Sequence, residues 1–259
     1  MIKSMIIAFS TYSRIPMPKV EWNEKSMKYS MCYFSFVGAV IGGINLLLLY
    51  LLKSFEVCTD VFSTILLTVL PVFITGGIHM DGFMDTVDAK SSYKPVEDKL
   101  KILKDPHSGA FAIIYSILYM LIYFGAMYEM VTKTDEITYV NVAYAMSFVY
   151  VRILSGLSVV FLKKAKKDGM LYEVSEAADK KVKWILSFEL LACILLLIAF
   201  DIFFNIWVGA VIVCIGIISF IWYRHMAYKT FGGITGDLAG YFLQMTELLI
   251  LIGVAVWFL

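Results

Sequence analysis

Apolar residues run along this chain in blocks of about twenty, separated by short polar stretches. Roughly twenty apolar residues in a helix cover the hydrocarbon core of a bilayer. The pattern therefore predicts an all-α bundle of seven transmembrane spans, near residues 29–52, 60–78, 109–131, 137–162, 183–200, 206–223 and 237–259. The fifth and sixth spans are parted only by the polar break at 201–205. The first ten residues are apolar but too short to cross, and no small-residue cleavage site follows them; they are expected to lie in the interface as a short amphipathic helix.

Composition agrees with this pattern. Hydrophobic residues make up 60% of the 259 positions, far above a soluble domain of this size. We read residues 1–259 as one integral-membrane domain. The four cysteines form no CxxC pair, which argues against a zinc site or a disulfide framework. Nothing resembles a nucleotide P-loop, a haem site or a nucleic-acid surface.

The net charge of +1 is uninformative, but its distribution is not. Nineteen of the 22 Lys and Arg residues fall in the N-terminal segment and in the second-to-third, fourth-to-fifth and sixth-to-seventh connections. Lys53 and Lys133 stand alone on the other side, and Arg152 lies within the fourth span. The positive-inside rule then places the N-terminus in the cytoplasm, in a cell membrane. On this topology the polar motifs share the cytoplasmic face. A transporter would distribute polar features near the midplane, so the crowding at one interface favours an enzyme.

The densest of these motifs follows the second span. Asp81, Asp85 and Asp88 sit at i, i+4 and i+7, so a helix would put all three on one face. Like charges at that spacing oppose a helix by about 0.2–0.5 kcal/mol per pair, and the trio makes sense if a cation sits among them. Hard oxygen ligands at a membrane edge suggest Mg²⁺ holding phosphate groups. His79 lies two residues before Asp81 and would point away from the acids on a regular helix.

A second motif, Phe231-Gly232-Gly233-Ile234-Thr235-Gly236-Asp237, leads into the seventh span. Thr235 can cap that helix, and the free N–H groups near Gly236 suit a phosphate. The sequence Gly-Gly-Ile-x-x-Asp occurs here and at Gly76–Asp81, so Asp237 is expected to join the acidic trio. Gln244 and Glu247 share its face. Lys101 and Lys104 are placed to neutralise a diphosphate, with Asp105 able to extend the metal shell. Arg152 is costly in lipid and is expected to face the bundle interior and reach a phosphate or an acid such as Asp237.

Taken together, these motifs resemble the cobalamin synthase family, the adenosylcobinamide-GDP ribazoletransferases. The resemblance rests on Arg14-Ile15-Pro16-Met17-Pro18, the glycine pattern Phe36–Gly42, His79-x-Asp81-Gly82-x-x-Asp85-Thr86-x-Asp88-Ala89, Lys104-Asp105-x-x-x-Gly109-Ala110-Phe111 and Gly233-Ile234-Thr235-Gly236-Asp237-x-x-Gly240. It departs from the family at His107, where an Arg is usual, at Lys164-Ala165-Lys166, where Tyr-Ala-Arg is usual, and at Gln244, where an acid is usual.

The resemblance implies that adenosylcobinamide-GDP is joined to α-ribazole or its 5′-phosphate with release of GMP, supported by Mg²⁺. From the residues themselves, His79, Asp85 and Asp88 are expected to be catalytic, and Asp81, Asp85, Asp88 and Asp237 to hold the metal. Substrate binding falls to Arg14, Lys101, Lys104, Arg152, Lys166, Thr235 and Gly236, with Lys166 in a phosphate-neutralising Arg role. Two other readings compete. A CDP-alcohol phosphotransferase also uses acids on membrane helices, but needs Ala-Arg where Asp85-Thr86 stands. A cation transporter would need acids at several span midpoints.

Overall fold

The computed structural model describes residues 1–55, 58–133 and 138–257. Among them there is no strand, only one isolated parallel bridge between Lys164 and Ile234. The chain opens with α1 (Ile2–Tyr12). This is more than a surface helix, because Ile7 and Ala8 are enclosed by the bundle. The short α2 (Glu24–Met27) starts on a reciprocal cap between Asn23 and Ser26. A 3₁₀ turn then feeds α3 (Phe34–Ser54).

The second span differs from its expectation. Helix α4 (Asp60–Thr75) has 16 residues, about 24 Å at 1.5 Å per residue, short of the ~30 Å hydrocarbon core. It ends at Gly76 and Gly77, both left-handed with φ of 65° and 78°. The chain then turns through 91° into α5 (Ile78–Ser91). The acidic segment is thus a helix packed against the bundle, as the i, i+4, i+7 spacing of its acids requires for one shared face. The reason for the turn is local: two successive left-handed residues stop the first helix, and glycine adopts that conformation without a Cβ penalty.

Helix α6 (Val96–Ile102) and a polar loop lead to α7 (Ala110–Thr132). Next come α8 (Tyr139–Phe161), α9 (Met170–Ala177) and α10 (Lys180–Phe204). The chain closes with α11 (Val208–Phe231) and α12 (Gly236–Trp257). Among the described residues, six helices are long and apolar enough to cross a membrane, and the bent α4–α5 pair makes a seventh candidate. The expected limits at 137 and 259 lie outside the described residues.

Helix α11 runs eight residues past its expected end at Tyr223, through Arg224, His225 and Lys229. These polar residues did not stop the helix because Arg224 and His225 face outward, while Tyr223, Met226 and Ala227 face the core. The break at 201–205 is real but tight. Asn205 is left-handed, and Asp201 accepts the backbone N–H groups of Gly209 and Ala210 at 2.7 Å each. Asp201 thereby caps the following helix from the end of the preceding one.

Helix α8 is the hub, with every residue from Tyr150 to Val160 buried. A helix apolar on all sides belongs in the centre of a bundle. Helix α3 lies against it through Gly38 and Gly42, where a Cβ would strike the Phe148 and Ala145 carbonyls. Small residues four apart let two helix backbones touch, which is how membrane helices gain packing without a hydrophobic driving force. By contrast, α7 and α10 turn large exposed faces outward, including Leu121, Trp184 and Phe188, as lipid-facing helices do.

Candidate active site

Two glycine elbows build the site. Gly76-Gly77-Ile78 ends α4 and Gly232-Gly233-Ile234 ends α11. In each, a left-handed glycine closes the helix and the next N–H reaches back to a carbonyl of the last turn: Gly77 to Val72 at 3.0 Å, Gly233 to Ala227 at 3.2 Å. Each elbow starts a helix carrying an acid in its first turn, Asp81 on α5 and Asp237 on α12. The short repeat seen in the sequence is therefore a repeated turn.

The two helices then meet at their glycines. A Cβ on Gly82 would lie 2.8 Å from the Asp237 carbonyl oxygen and 2.9 Å from its Cα. One on Gly240 would lie 3.0 Å from the His79 carbonyl oxygen. Backbone meets backbone here, so no side-chain movement would relieve a substitution. Glycine at both points brings Asp81, Asp85 and Asp237 into one electrostatic group, in which Asp85 faces the charge of Asp81, Asp237, Asp88 and Asp105. Thr235 caps α12 through Leu238 N–H and also donates to Asp237, both at 3.3 Å.

The elbows open onto a cavity of about 370 Å³. Of the residues expected at the site, His79, Asp81, Lys104, Lys166, Thr235, Gly236 and Asp237 line it. His79 does so although it lies across the helix from the acids, because the cavity wraps the start of α5. Its ring is 5% exposed, stacks on Tyr12 at 6.0 Å and leaves Nε2 without a hydrogen-bond partner.

The basic wall comes from the connection between α8 and α9. Gly233 makes room for it, since a Cβ there would press on the Lys163–Ala165 backbone. Ala165 N–H donates to the Ile234 carbonyl and Ile234 N–H to the Lys163 carbonyl, both at 2.9 Å. Lys166 Nζ donates to the Leu100 carbonyl at 2.8 Å, and Lys104 pairs with Asp168 at 2.7 Å. These bonds tie three separate connections together over the acids.

Burial pulls the Lys166 ammonium below the ordinary lysine value, and the nearby charge of Lys104 adds to this against the opposing pull of Asp237 and Asp168. Burial lowers Lys164 as well. In the loop before α7, the backbone N–H and ring of His107 hold Asp105 below the usual carboxylate range.

Other expected residues lie elsewhere. Asp88 does not line the cavity; its two oxygens accept Gly109 N–H at 2.5 Å and Ala112 N–H at 2.9 Å, capping α7. Arg14 folds over the first elbow, its backbone N–H donating to the Ile74 carbonyl at 2.7 Å and its side chain covering Gly76. Lys101 is exposed and pairs with Asp98 at 2.8 Å. Arg152 faces the interior as expected, but its partner is Glu247 at 2.8 Å rather than Asp237, and it is not among the cavity-lining residues. Gln244, also in that interior, accepts the Tyr119 hydroxyl at 2.6 Å.

The cavity also contains residues that the sequence did not single out: Tyr12, Met31, Phe34, Ser155, Val159 and Asp168. Apolar and aromatic positions in a chain this hydrophobic carry no signal that separates a cavity wall from core. Asp168 had one usable clue, an acid directly after a run of lysines in a short loop.

Comparison with known proteins is consistent along the whole chain. The cobalamin-5-phosphate synthase family model matches residues 4–255. An adenosylcobinamide-GDP ribazoletransferase of Lachnoclostridium phytofermentans is 42% identical over 255 residues, covering 96% of this chain and 91% of the relative. One from Clostridium perfringens is 32% identical over 247 residues, covering 95% and 94%. One from Desulfitobacterium hafniense is 28% identical over 255 residues, covering 97% and 96%. No solved structure matches. The elbows, the acids they bring together and the match over residues 4–255 lead to one assignment: the chain belongs to the cobalamin-5-phosphate synthase family and is a transferase.

Proposed function

We propose that this enzyme joins adenosylcobinamide-GDP to α-ribazole or α-ribazole 5′-phosphate and releases GMP, at the cytoplasmic face of the cell membrane with Mg²⁺. The observation that carries the reading is the meeting of Asp81 and Asp237 with Lys104, Lys164 and Lys166 around one cavity. Acids beside cations are what transfer of a phosphorus centre between two oxygen nucleophiles requires. The cytoplasmic placement rests on the nineteen-to-two division of basic residues between the two sides.

The donor set fits Mg²⁺ of a particular kind. Among the described residues, no three His, Cys, Asp or Glu side chains stand close enough to enclose a metal by themselves. Mg²⁺ seldom uses an all-protein cage; it takes one or two carboxylates and completes its shell with phosphate and water. Asp81 and Asp237, with Asp85 behind them, suit an ion that arrives with a diphosphate. When bound there, Mg²⁺ would offset diphosphate charge and stabilise the departing GMP.

The chain's own residues do the rest. The ribose hydroxyl of ribazole forms a bond to the phosphorus on the cobinamide side, and the bond from that phosphorus to the GMP oxygen breaks. The electron pair leaves with GMP, and the hydroxyl proton passes to a carboxylate of the acidic group. Lys104, Lys164 and Lys166 bind the phosphates, with the N–H groups at Gly236. Asp88 fixes α7 against α5, and the interior Arg152–Glu247 pair holds α8 to α12.

Purified protein in lipid, given adenosylcobinamide-GDP, α-ribazole phosphate and Mg²⁺, is expected to release GMP and form the joined corrinoid in equal amounts. CMP release from a CDP-alcohol, with no GMP release, would overturn the reading in favour of a CDP-alcohol phosphotransferase.

Lys166 gives the reaction an alkaline limit. It must be protonated to hold phosphate, and its lowered pKa means that its charge is lost at a lower pH than the ~10.4 of a free lysine. The value of kcat/KM is therefore expected to fall on the alkaline side before an ordinary lysine would titrate. Lys166→Arg is expected to move that fall to higher pH, because a guanidinium stays charged. Superimposable alkaline limbs for the two proteins would remove Lys166 from phosphate binding.

A further inference from the structure

The cavity lining contains two chemically distinct groups. Lys104, Lys166, Asp168 and Asp237 make one of them. Tyr12, Met31, Phe34 and Val159 make the other, with His79 beside both rings. Tyr12 and Phe34 have centroids 4.3 Å apart, and His79 lies 6.0 Å from Tyr12 and 5.8 Å from Phe34. None of this aromatic group belongs to the acid and phosphate chemistry.

We infer that this aromatic group holds the planar base of the ribazole nucleotide, leaving guanine and the corrin ring outside. The inference rests on the function proposed above and adds the place and orientation of one substrate. Size supports it first. A space of about 370 Å³ is at the small end of ligand sites; it accommodates one nucleoside monophosphate and is far too small for a corrin with its amide arms.

Polarity then chooses between the two bases. Guanine presents a full edge of donors and acceptors, and burying it unpaired is costly. The wall built from Tyr12, Met31, Phe34 and Val159 carries no carboxylate or amide to read such an edge. A benzimidazole has two apolar faces and, once joined to ribose, one free ring nitrogen. Tyr12 and Phe34 offer it aromatic surface. His79 lines this cavity, and its buried Nε2 has no protein partner; it is the atom left to hydrogen-bond the one free ring nitrogen of such a base.

The orientation follows. With the base at Tyr12 and the 5′-phosphate toward Lys164 and Lys166, the ribose lies between them, beside Asp81 and Asp237. That is where its attacking hydroxyl is needed. Tyr12 and His79 act here as substrate-positioning residues.

The test is equilibrium binding of α-ribazole 5′-phosphate and of GMP to the full chain in lipid nanodiscs, for wild type, Tyr12→Leu and Tyr12→Phe. Base–aromatic stacking is worth a factor of about ten to a hundred per base. Tyr12→Leu is expected to weaken α-ribazole phosphate by about that much and leave GMP unchanged, and Tyr12→Phe is expected to retain most of the affinity. His79→Ala is expected to lower α-ribazole affinity in the same selective way. Loss for GMP alone, equal loss for both ligands, or no loss for either overturns the assignment. If those variants behave as wild type while wild type still turns over, the base subsite is wrong and the reaction stands. If wild type neither binds α-ribazole phosphate nor releases GMP, the proposed reaction itself fails.

Discussion

Asp237→Asn is expected to lower kcat for GMP release by about a thousandfold, the scale of removing one preorganised charge-stabilising group from an active site. The substitution changes charge without changing shape. Asn keeps the side-chain volume at the first turn of α12, and the backbone contact between Asp237 and Gly82 is unaffected. What is lost is the carboxylate facing Asp81 and Asp85 across the elbows. Stability should move the opposite way. Without a bound cation the clustered acids repel, so the variant is expected to unfold at the same temperature or slightly higher. Mg²⁺ with substrate diphosphate should raise the wild-type unfolding temperature and leave the variant's nearly unchanged. Turnover within tenfold of wild type would remove Asp237 from the charge-stabilising set.

Glu247→Ala is expected to cost about 3–5 kcal/mol of stability, the usual consequence of breaking a buried ion pair on one side. Arg152 and Glu247 are 1% and 3% exposed and meet at 2.8 Å in the middle of the bundle. Arg152 also donates to the Phe148 carbonyl at 2.9 Å, but its Nε has no partner. Without Glu247 its charge would stay buried among Phe34 and Phe148. The double variant Arg152→Met/Glu247→Leu is expected to recover most of the loss, since well-packed apolar pairs often replace buried ion pairs without penalty. Thermal unfolding in detergent for the single and double variants measures both. A single variant within 1 kcal/mol of wild type, or a double variant less stable than the single, would show that the pair does not hold α8 to α12.

Much of this architecture was legible in the sequence, and the gaps have specific causes. Most helices follow their apolar blocks closely, because span length is set by hydrocarbon thickness. Helix α11 outran its block because outward Arg224 and His225 are tolerated at a helix end that packs through its other face. The bend that ends the second block was not legible because hydropathy does not register a 91° turn. Asp88 and Asp201 look alike in a sequence only as acids near helix ends. The fold gives both the same work: Asp201 caps the helix after its own, and Asp88 caps α7 across the intervening α6. Arg152 was expected to reach the site and instead met Glu247. Nothing in a single sequence ranks two acids on one helix by distance.

The sequence by itself determined the helical membrane class, the crowding of acids and bases at chosen connections, the paired Gly-Gly-Ile turns and, through its motifs, the family. These are local or additive properties: length, hydropathy, spacing and charge. Tertiary structure alone decided that the two turns face each other, that Gly82 and Gly240 let their helices touch, and that Tyr12 and Phe34 become a cavity wall beside His79. Those outcomes depend on contacts between residues as distant as Gly82 and Asp237. Whether an aromatic side chain in so apolar a chain lines a site or fills the core is decided only by which helices pack around it.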